Sequence, residues 1–104
     1  MLVANNEEIN LGNLPFGRGF NFKYVITNSG DKVINLKTIT VGCGSCTKAY
    51  ANKNVLAAGE SGEIFVTFTP GSTGIQTKQI TVTYTFGDIK PTNLVLKFKA
   101  MVDK

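Results

Sequence analysis

Two cysteines separated by two residues, Cys43 and Cys46, are the feature of this sequence whose residue types and spacing suggest chemistry. A Cys-x-x-Cys pair acts as a redox centre when its first thiol lies at a helix N-terminus, which lowers the thiol pKa. Here a predicted strand precedes Cys43, and the segment after Cys46 is too short for the usual long helix. The pair favours a local disulfide or two small thiols in a glycine-rich turn, with a redox protein as an alternative.

The chain contains no histidine, which excludes the Ser-His-Asp triad, the Cys-His pair and every His-based metal site. A structural zinc site is tetrahedral, and Cys43 and Cys46 supply only half of its ligands. Glu60 and Glu63 flank a turn and are expected to be solvated, because calcium requires about six to eight oxygen ligands. We therefore predict a non-catalytic protein without metal or cofactor, and keep a zinc site shared with another subunit as an alternative.

The distribution of charged residues does not indicate a nucleic-acid-binding protein. Eleven Lys and Arg residues against seven Asp and Glu residues give a net charge of +4. Nucleic-acid binders concentrate such an excess on one face or element, whereas ten of these eleven cations are lysines, spread from Lys23 to Lys104 without a basic run. Lys97 and Lys99 alternate with Phe98, a pattern typical of a strand with a solvated face. We expect a basic surface and no nucleic-acid partner.

Length and segment composition predict a single domain. The 104 residues fit one compact unit. The N-terminus lacks the basic and apolar regions of a signal peptide, and no apolar run approaches the roughly 18 residues that would cross a bilayer. We expect one domain over residues 1–104, with loose ends at 1–6 and 103–104 and no membrane span.

Hydrophobic residues recur with period two, which predicts strands rather than helices. The clearest alternating segments begin at Phe20, Ile64, Lys78 and Leu94. A further strand is predicted over residues 33–41, which are rich in Ile, Val and Thr but whose two faces are less sharply divided, and short strands are predicted at residues 9–11 and 55–58. Residues 28–31 and 70–74 have the composition of hairpin turns. About seven strands at this spacing predict an all-β, immunoglobulin-like antiparallel β-sandwich, with a small barrel as the alternative.

Most aromatic residues lie in phase with aliphatic neighbours and are expected in the core. Phe16 and Tyr50 lie outside strong alternation and are predicted as partner-contact residues. The N-terminal arm, Met1, Leu2 and Val3, is predicted to order against the same partner.

Three segments together resemble a known family. They are residues 22–31, with their Thr-Asn-Ser-Gly-Asp ending, residues 59–68, which read Gly-Glu-Ser-Gly-Glu-Ile-Phe-Val-Thr-Phe, and the glycine-containing turn and strand at 74–82. The order is similar to Hydin-type immunoglobulin-like domains, relatives of major sperm protein, and most similar to their bacterial and phage branch, over residues 9–102. The family's Cys-Gly-Cys-Thr is one residue longer here, from Cys43 to Thr47, and Ala58 stands where the family has proline.

The resemblance implies a binding or scaffolding module rather than a catalyst. Together with the small size, it leads us to expect a phage virion accessory protein, such as a capsid decoration protein assembled in the host cytoplasm, with a capsid or other virion protein as partner. Oligomers on a symmetric assembly are compatible with this role. The alternative is a bacterial envelope or periplasmic protein-binding module whose export signal has been removed.

Overall fold

Two β-sheets packed face to face make up the computed structural model, which describes residues 2–42, 47–87 and 90–103. The strands are β1 (Leu2–Ala4), β2 (Glu8–Pro15), β3 (Phe20–Asn28), β4 (Ile34–Val41), β5 (Thr47–Ala51), β6 (Val55–Leu56), β7 (Ser61–Phe68), β8 (Gly74–Phe86) and β9 (Thr92–Asp103). Sheet 1 has the order β1-β3-β7-β5, and sheet 2 has the order β2-β9-β8-β4-β6. The described part of the chain contains no helix, so the predicted immunoglobulin-like all-β sandwich is confirmed.

Period-two alternation places one face of each sheet in the core. Along β9, buried and exposed residues alternate from Leu94 to Val102, and β7 repeats the pattern from Gly62 to Phe68. The largest fully buried side chains come from both sheets: Tyr24, Phe68, Phe98, Ile26, Ile34, Leu56, Ile64, Ile80, Leu96, Val66, Val82 and Val102. Burial of this apolar surface is the main force that holds the sheets together.

Tyr24 links the two sheets by a hydrogen bond as well as by packing. Its ring is fully buried, and its hydroxyl donates to the backbone carbonyl of Lys97 on β9 at 2.7 Å. Burial raises the pKa of this phenol well above its ordinary value. The side chain therefore remains a neutral donor between sheet 1 and sheet 2 throughout the physiological pH range.

Asn28, at the end of β3, joins three segments. Its side-chain amide donates to the carbonyls of Lys32 at 2.6 Å and Leu56 at 3.0 Å, and its Oδ1 accepts from the N–H of Gly30 at 3.0 Å. The residue is fully buried. Because every one of these partners is a backbone group, the Asn28 amide takes the place of a strand neighbour where β3 ends.

The structure corrects the strand count and shows strands close to both ends of the described chain. There are nine strands in the described residues rather than about seven. Leu2, Val3 and Ala4 form β1, which pairs antiparallel with β3. At the other end, Asp103 closes β9 and its carbonyl accepts from the N–H of Phe16 at 2.8 Å. Backbone pairing thus reaches Leu2 and Asp103, and the looseness expected for residues 1–6 and 103–104 stays a prediction.

The two predicted hairpin turns are crossings between the sheets. Residues 28–31 lead from β3 in sheet 1 to β4 in sheet 2, and residues 70–74 lead from β7 in sheet 1 to β8 in sheet 2. Composition identified each as a turn but not which strands it joins. In the described part of the chain, only β8 and β9 are both consecutive and paired.

Candidate partner-binding edge

The residues predicted to contact a partner do not lie together. Val3, 38% exposed, is on β1 at one edge of sheet 1, whereas Tyr50, 63% exposed, is on β5 at the opposite edge. Phe16 follows β2 of the other sheet and is 43% exposed. Leu2 is 3% exposed and its side chain packs in the core, and its contact with a partner stays a prediction. Met1, Cys43 and Cys46 lie outside the described residues, so the predicted disulfide or thiol pair stays a prediction.

Tyr50 is one half of an aromatic pair on the outer face of sheet 1. It stands opposite Phe65 of β7, and the ring centroids are 5.5 Å apart with a 30° angle between the planes. Phe65 is half-buried, whereas Tyr50 remains largely open to solvent. Phe65 covers one side of the Tyr50 ring and leaves the other side available to a ligand.

A groove of about 420 Å³ opens beside Tyr50, between the edge of sheet 1 and the edge of sheet 2. Its lining includes Leu36, Lys37 and Ile39 of β4, and Ala49, Tyr50 and Ala51 of β5. Leu36, Ile39, Ala49 and Ala51 are only half-buried, although strand alternation turns them toward the core. The sandwich is therefore incompletely closed along this side.

Neither strand that borders the groove has a full neighbour there. β5 is the last strand of sheet 1, and β4 is covered on that side only by the two residues of β6. The cover ends where the N–H of Leu36 donates to the carbonyl of Asn54 at 2.8 Å. Within the described ranges, β4 beyond Leu36 and all of β5 thus have one edge without a paired strand.

The ladders show which backbone groups face this open side. In an antiparallel ladder, successive residues direct their N–H and C=O groups alternately to the two sides. The N–H of Asn52 donates to Glu63 on β7 at 3.0 Å, so Tyr50 also faces β7, and Ala49 and Ala51 face away from it. By the same alternation, Gly42 bonds to Gln79 of β8, which turns the backbone of Ile39 and Val41 away from β8.

The other sheet edges are better protected. β1 has only three residues, and β6 has two. β2 carries a register shift between Asn10 and Asn13, at Gly12 with φ of 74°, and it ends at Pro15. Short strands, bulges and proline are the usual protection of a sheet edge against pairing. On the open side, β4 carries a register shift between Leu36 and Thr38, whereas the five residues of β5 pair with β7 without a shift and contain no proline.

Lysines, and no acidic residue, contribute to the described lining and rim of the groove. Lys37 lines it from β4, and Lys48 is exposed on β5 next to Ala49. The nearby carboxylates are engaged elsewhere: Glu63 pairs with Lys23, and Glu60 pairs with Lys53 at 3.3 Å. The charged side chains described at the groove and its rim, Lys37 and Lys48, are therefore both cations.

Lys53→Ala is expected to raise the pKa of Glu60 only part of the way to its ordinary value. The N–H of Ala57, which donates to Oε1 at 3.0 Å, is the main cause of the lowered pKa, and Lys53 is the second. A lowered pKa stabilises the fold above the ordinary carboxyl pKa, and this contribution is lost as the pH falls through the folded value. An NMR titration of the Glu60 carboxyl carbon measures the change in pKa. Lys23→Ala is the control, which should leave the pKa of Glu60 unchanged. An ordinary Glu60 pKa in the unmodified chain would contradict the prediction.

Over residues 2–42, 47–87 and 90–103, no three His, Cys, Asp or Glu residues lie close enough to hold a metal ion. Nor does any helix long and apolar enough to cross a membrane occur in those ranges.

Comparison with known families and structures extends over nearly the whole chain. The family model described as "Protein of unknown function (DUF1573)" matches residues 2–102. No curated protein sequence matches the chain.

Solved structures share the fold at low identity. The VesB protease of Vibrio cholerae superposes with a TM-score of 0.82 and 15% identity over 96% of this chain, but the chain spans only 31% of that protein. The ASH/PapD-like domain 7 of human CEP192 superposes with a TM-score of 0.75 and 12% identity, over 99% of this chain and 85% of that one. WR4, a Caenorhabditis elegans member of the MSP family, superposes with a TM-score of 0.67 and 12% identity, over 99% of this chain and 98% of WR4. These neighbours establish the MSP/PapD-like, immunoglobulin-like fold class.

Proposed function

Because this chain belongs to the DUF1573 family, whose description assigns no activity, we propose from its own geometry that it is a non-catalytic protein-binding module. The observation that carries the proposal is the open groove between β4 and β5, where two strand edges without full neighbours lie beside half-buried apolar side chains. Unpaired strand edges bind extended chains through main-chain hydrogen bonds. The fold supplies a rigid support for such an edge, and no catalytic group is needed.

Ala49→Pro tests whether the edge is the binding surface. The N–H of Ala49 points away from β7, so proline removes a donor from the open side and leaves the β5–β7 ladder intact. Ala4→Pro is the matched control, because Ala4 is also an alanine in an edge strand whose N–H faces away from its neighbour. We expect the unmodified chain and Ala4→Pro to capture the same protein from a lysate of the source, and Ala49→Pro to lose it. Equal capture by both variants would refute the proposal.

Two settings for this module follow from the sequence and remain proposals. The first is a virion accessory protein, such as a capsid decoration protein, which would co-sediment with its particle. The second is a bacterial envelope module, for which the coding sequence upstream would encode an export signal and Cys43 and Cys46 would be oxidised. Light scattering of the purified chain measures whether it forms the oligomers that a symmetric particle would accommodate.

A further inference from the structure

We infer that the groove between β4 and β5 takes up an extended acidic peptide, which adds to β5 as a fifth strand of sheet 1. This inference rests on the proposed binding function and specifies the chemistry of the partner. It follows from three observations: the direction of the backbone groups, the size of the inward-facing side chains and the charge of the rim.

The backbone of β5 matches the requirements of strand addition. Ala49 and Ala51 direct their N–H and C=O groups to the open side, two residues apart, as the ladder with β7 requires. An added strand would use the same spacing as the β5–β7 pair. β5 has five residues, about 17 Å of strand, so a peptide of five to seven residues spans it.

The side chains of β5 that face inward are small. Ala49 and Ala51 leave space in front of Leu36 and Ile39, which are half-buried across the groove. An added strand would turn every second side chain into this space, where a branched aliphatic side chain would cover the apolar surface left open. The groove therefore selects aliphatic residues at alternate positions of the peptide.

The positions between them would lie on the outer face, opposite Lys48 and Tyr50. Lys48 has no carboxylate opposite it within sheet 1, since its neighbour on β7 is Thr67. Lys37 adds a second positive charge from the β4 side. Cross-strand pairs of opposite charge stabilise a sheet, and like charges destabilise it, so acidic residues are favoured at these positions. A second copy of β5 would instead add a lysine to a positive rim.

Two synthetic peptides test the inference directly. The first is an acetylated and amidated heptapeptide in which Glu and Val alternate, and the second has Lys in place of every Glu. Titration of the isotopically labelled chain, followed by amide NMR shifts, gives affinity and location together. We expect the Glu/Val peptide to bind at least tenfold more tightly than the Lys/Val peptide, and to shift the amides of Ala49 and Ala51 most strongly. Equal affinities, no binding of the Glu/Val peptide, or shifts confined to another face would overturn the inference.

Variants separate the backbone and charge contributions. Ala49→Pro is expected to lower the affinity for the Glu/Val peptide roughly tenfold, the effect of one lost hydrogen bond, whereas Ala4→Pro leaves this affinity unchanged. Lys37→Glu and Lys48→Glu should each weaken it roughly two- to fivefold. Lys99→Glu changes the net charge equally but lies on the outer face of sheet 2, so it is the control. An equal loss with Lys99→Glu would show a general charge effect and refute the role of the rim.

Two further outcomes distinguish this inference from the binding function on which it rests. Capture of a partner that is sensitive to Ala49→Pro, together with no affinity for the Glu/Val peptide, would leave the function in place and overturn the acidic-peptide assignment. A dimer in light scattering that Ala49→Pro dissociates would also overturn it, because a second copy would then occupy the edge.

Discussion

Asn28→Asp is expected to destabilise the domain by about 3–5 kcal/mol at pH 7, because it buries a carboxylate against backbone carbonyls. The amide nitrogen of Asn28 donates to Lys32 and Leu56, and an ionised Asp has no hydrogen to donate to either carbonyl. Only the bond from the N–H of Gly30 to Oδ1 would survive. Urea denaturation of the variant and the unmodified chain at pH 7 measures the loss.

The same variant should regain stability as the pH falls. Burial and the facing carbonyls raise the folded pKa of the new carboxyl above its unfolded value near 3.9. Stability is therefore lost as the pH rises from about 4 through the folded pKa. Below about 4 the protonated carboxyl has one O–H to donate, which restores part of the lost stability. Asn93→Asp is the matched control, since Asn93 is exposed and its Oδ1 accepts from Thr83 at 2.8 Å, a bond that a carboxylate keeps. A pH-independent loss, or a loss no larger than that of the control, would contradict the assigned role of Asn28.

Phe98→Ala is expected to lower the free energy of unfolding by about 3–5 kcal/mol, because it leaves a cavity between the sheets. Phe98 is fully buried, and its ring packs edge-to-face against Phe22 and Phe68 at centroid distances of 5.0 and 5.1 Å. Domains of this size are stable by only about 5–15 kcal/mol, so the variant approaches unfolding. Thermal and urea denaturation measure the change.

Two variants test whether the cavity is the cause. Phe98→Leu keeps most of the side-chain volume and should lower the free energy of unfolding by under about half as much as Phe98→Ala. Phe16→Ala removes the same ring from a site that is 43% exposed, and should cost under about 1 kcal/mol. Similar losses for Phe16→Ala and Phe98→Ala would show that position in the core does not determine the effect.

The sequence predicted the interior best where one face of a long strand is buried. The alternation of Ile64, Val66 and Phe68, and that of Leu94, Leu96 and Phe98, correctly identified core positions. In such strands the side-chain period alone separates the two faces. β1 was missed because three residues are too few to show a period, and because its pairing partner, β3, begins sixteen residues after β1 ends.

The groove and the role of Asn28 could not be predicted, because each depends on contacts between distant segments. Asn28 has the composition of a turn residue, and only the positions of Lys32 and Leu56 show that its amide is buried and bonded. The open edge exists because the chain moves from sheet 2 to sheet 1 between β4 and β5, and back to sheet 2 at β6. Strand patterns report which residues face inward, but not which sheet a strand joins.

Among the described strands, β8 and β9 alone pair with a sequence neighbour, and this arrangement has a kinetic consequence. β2 pairs in parallel with β9, so Glu8 and Lys97 must meet from nearly opposite ends of the chain. Every such pairing requires the closure of a long loop before its contacts contribute free energy. We therefore expect a folding reaction on the millisecond-to-second scale, nucleated near the β8–β9 hairpin, in which the N-terminal strands join last.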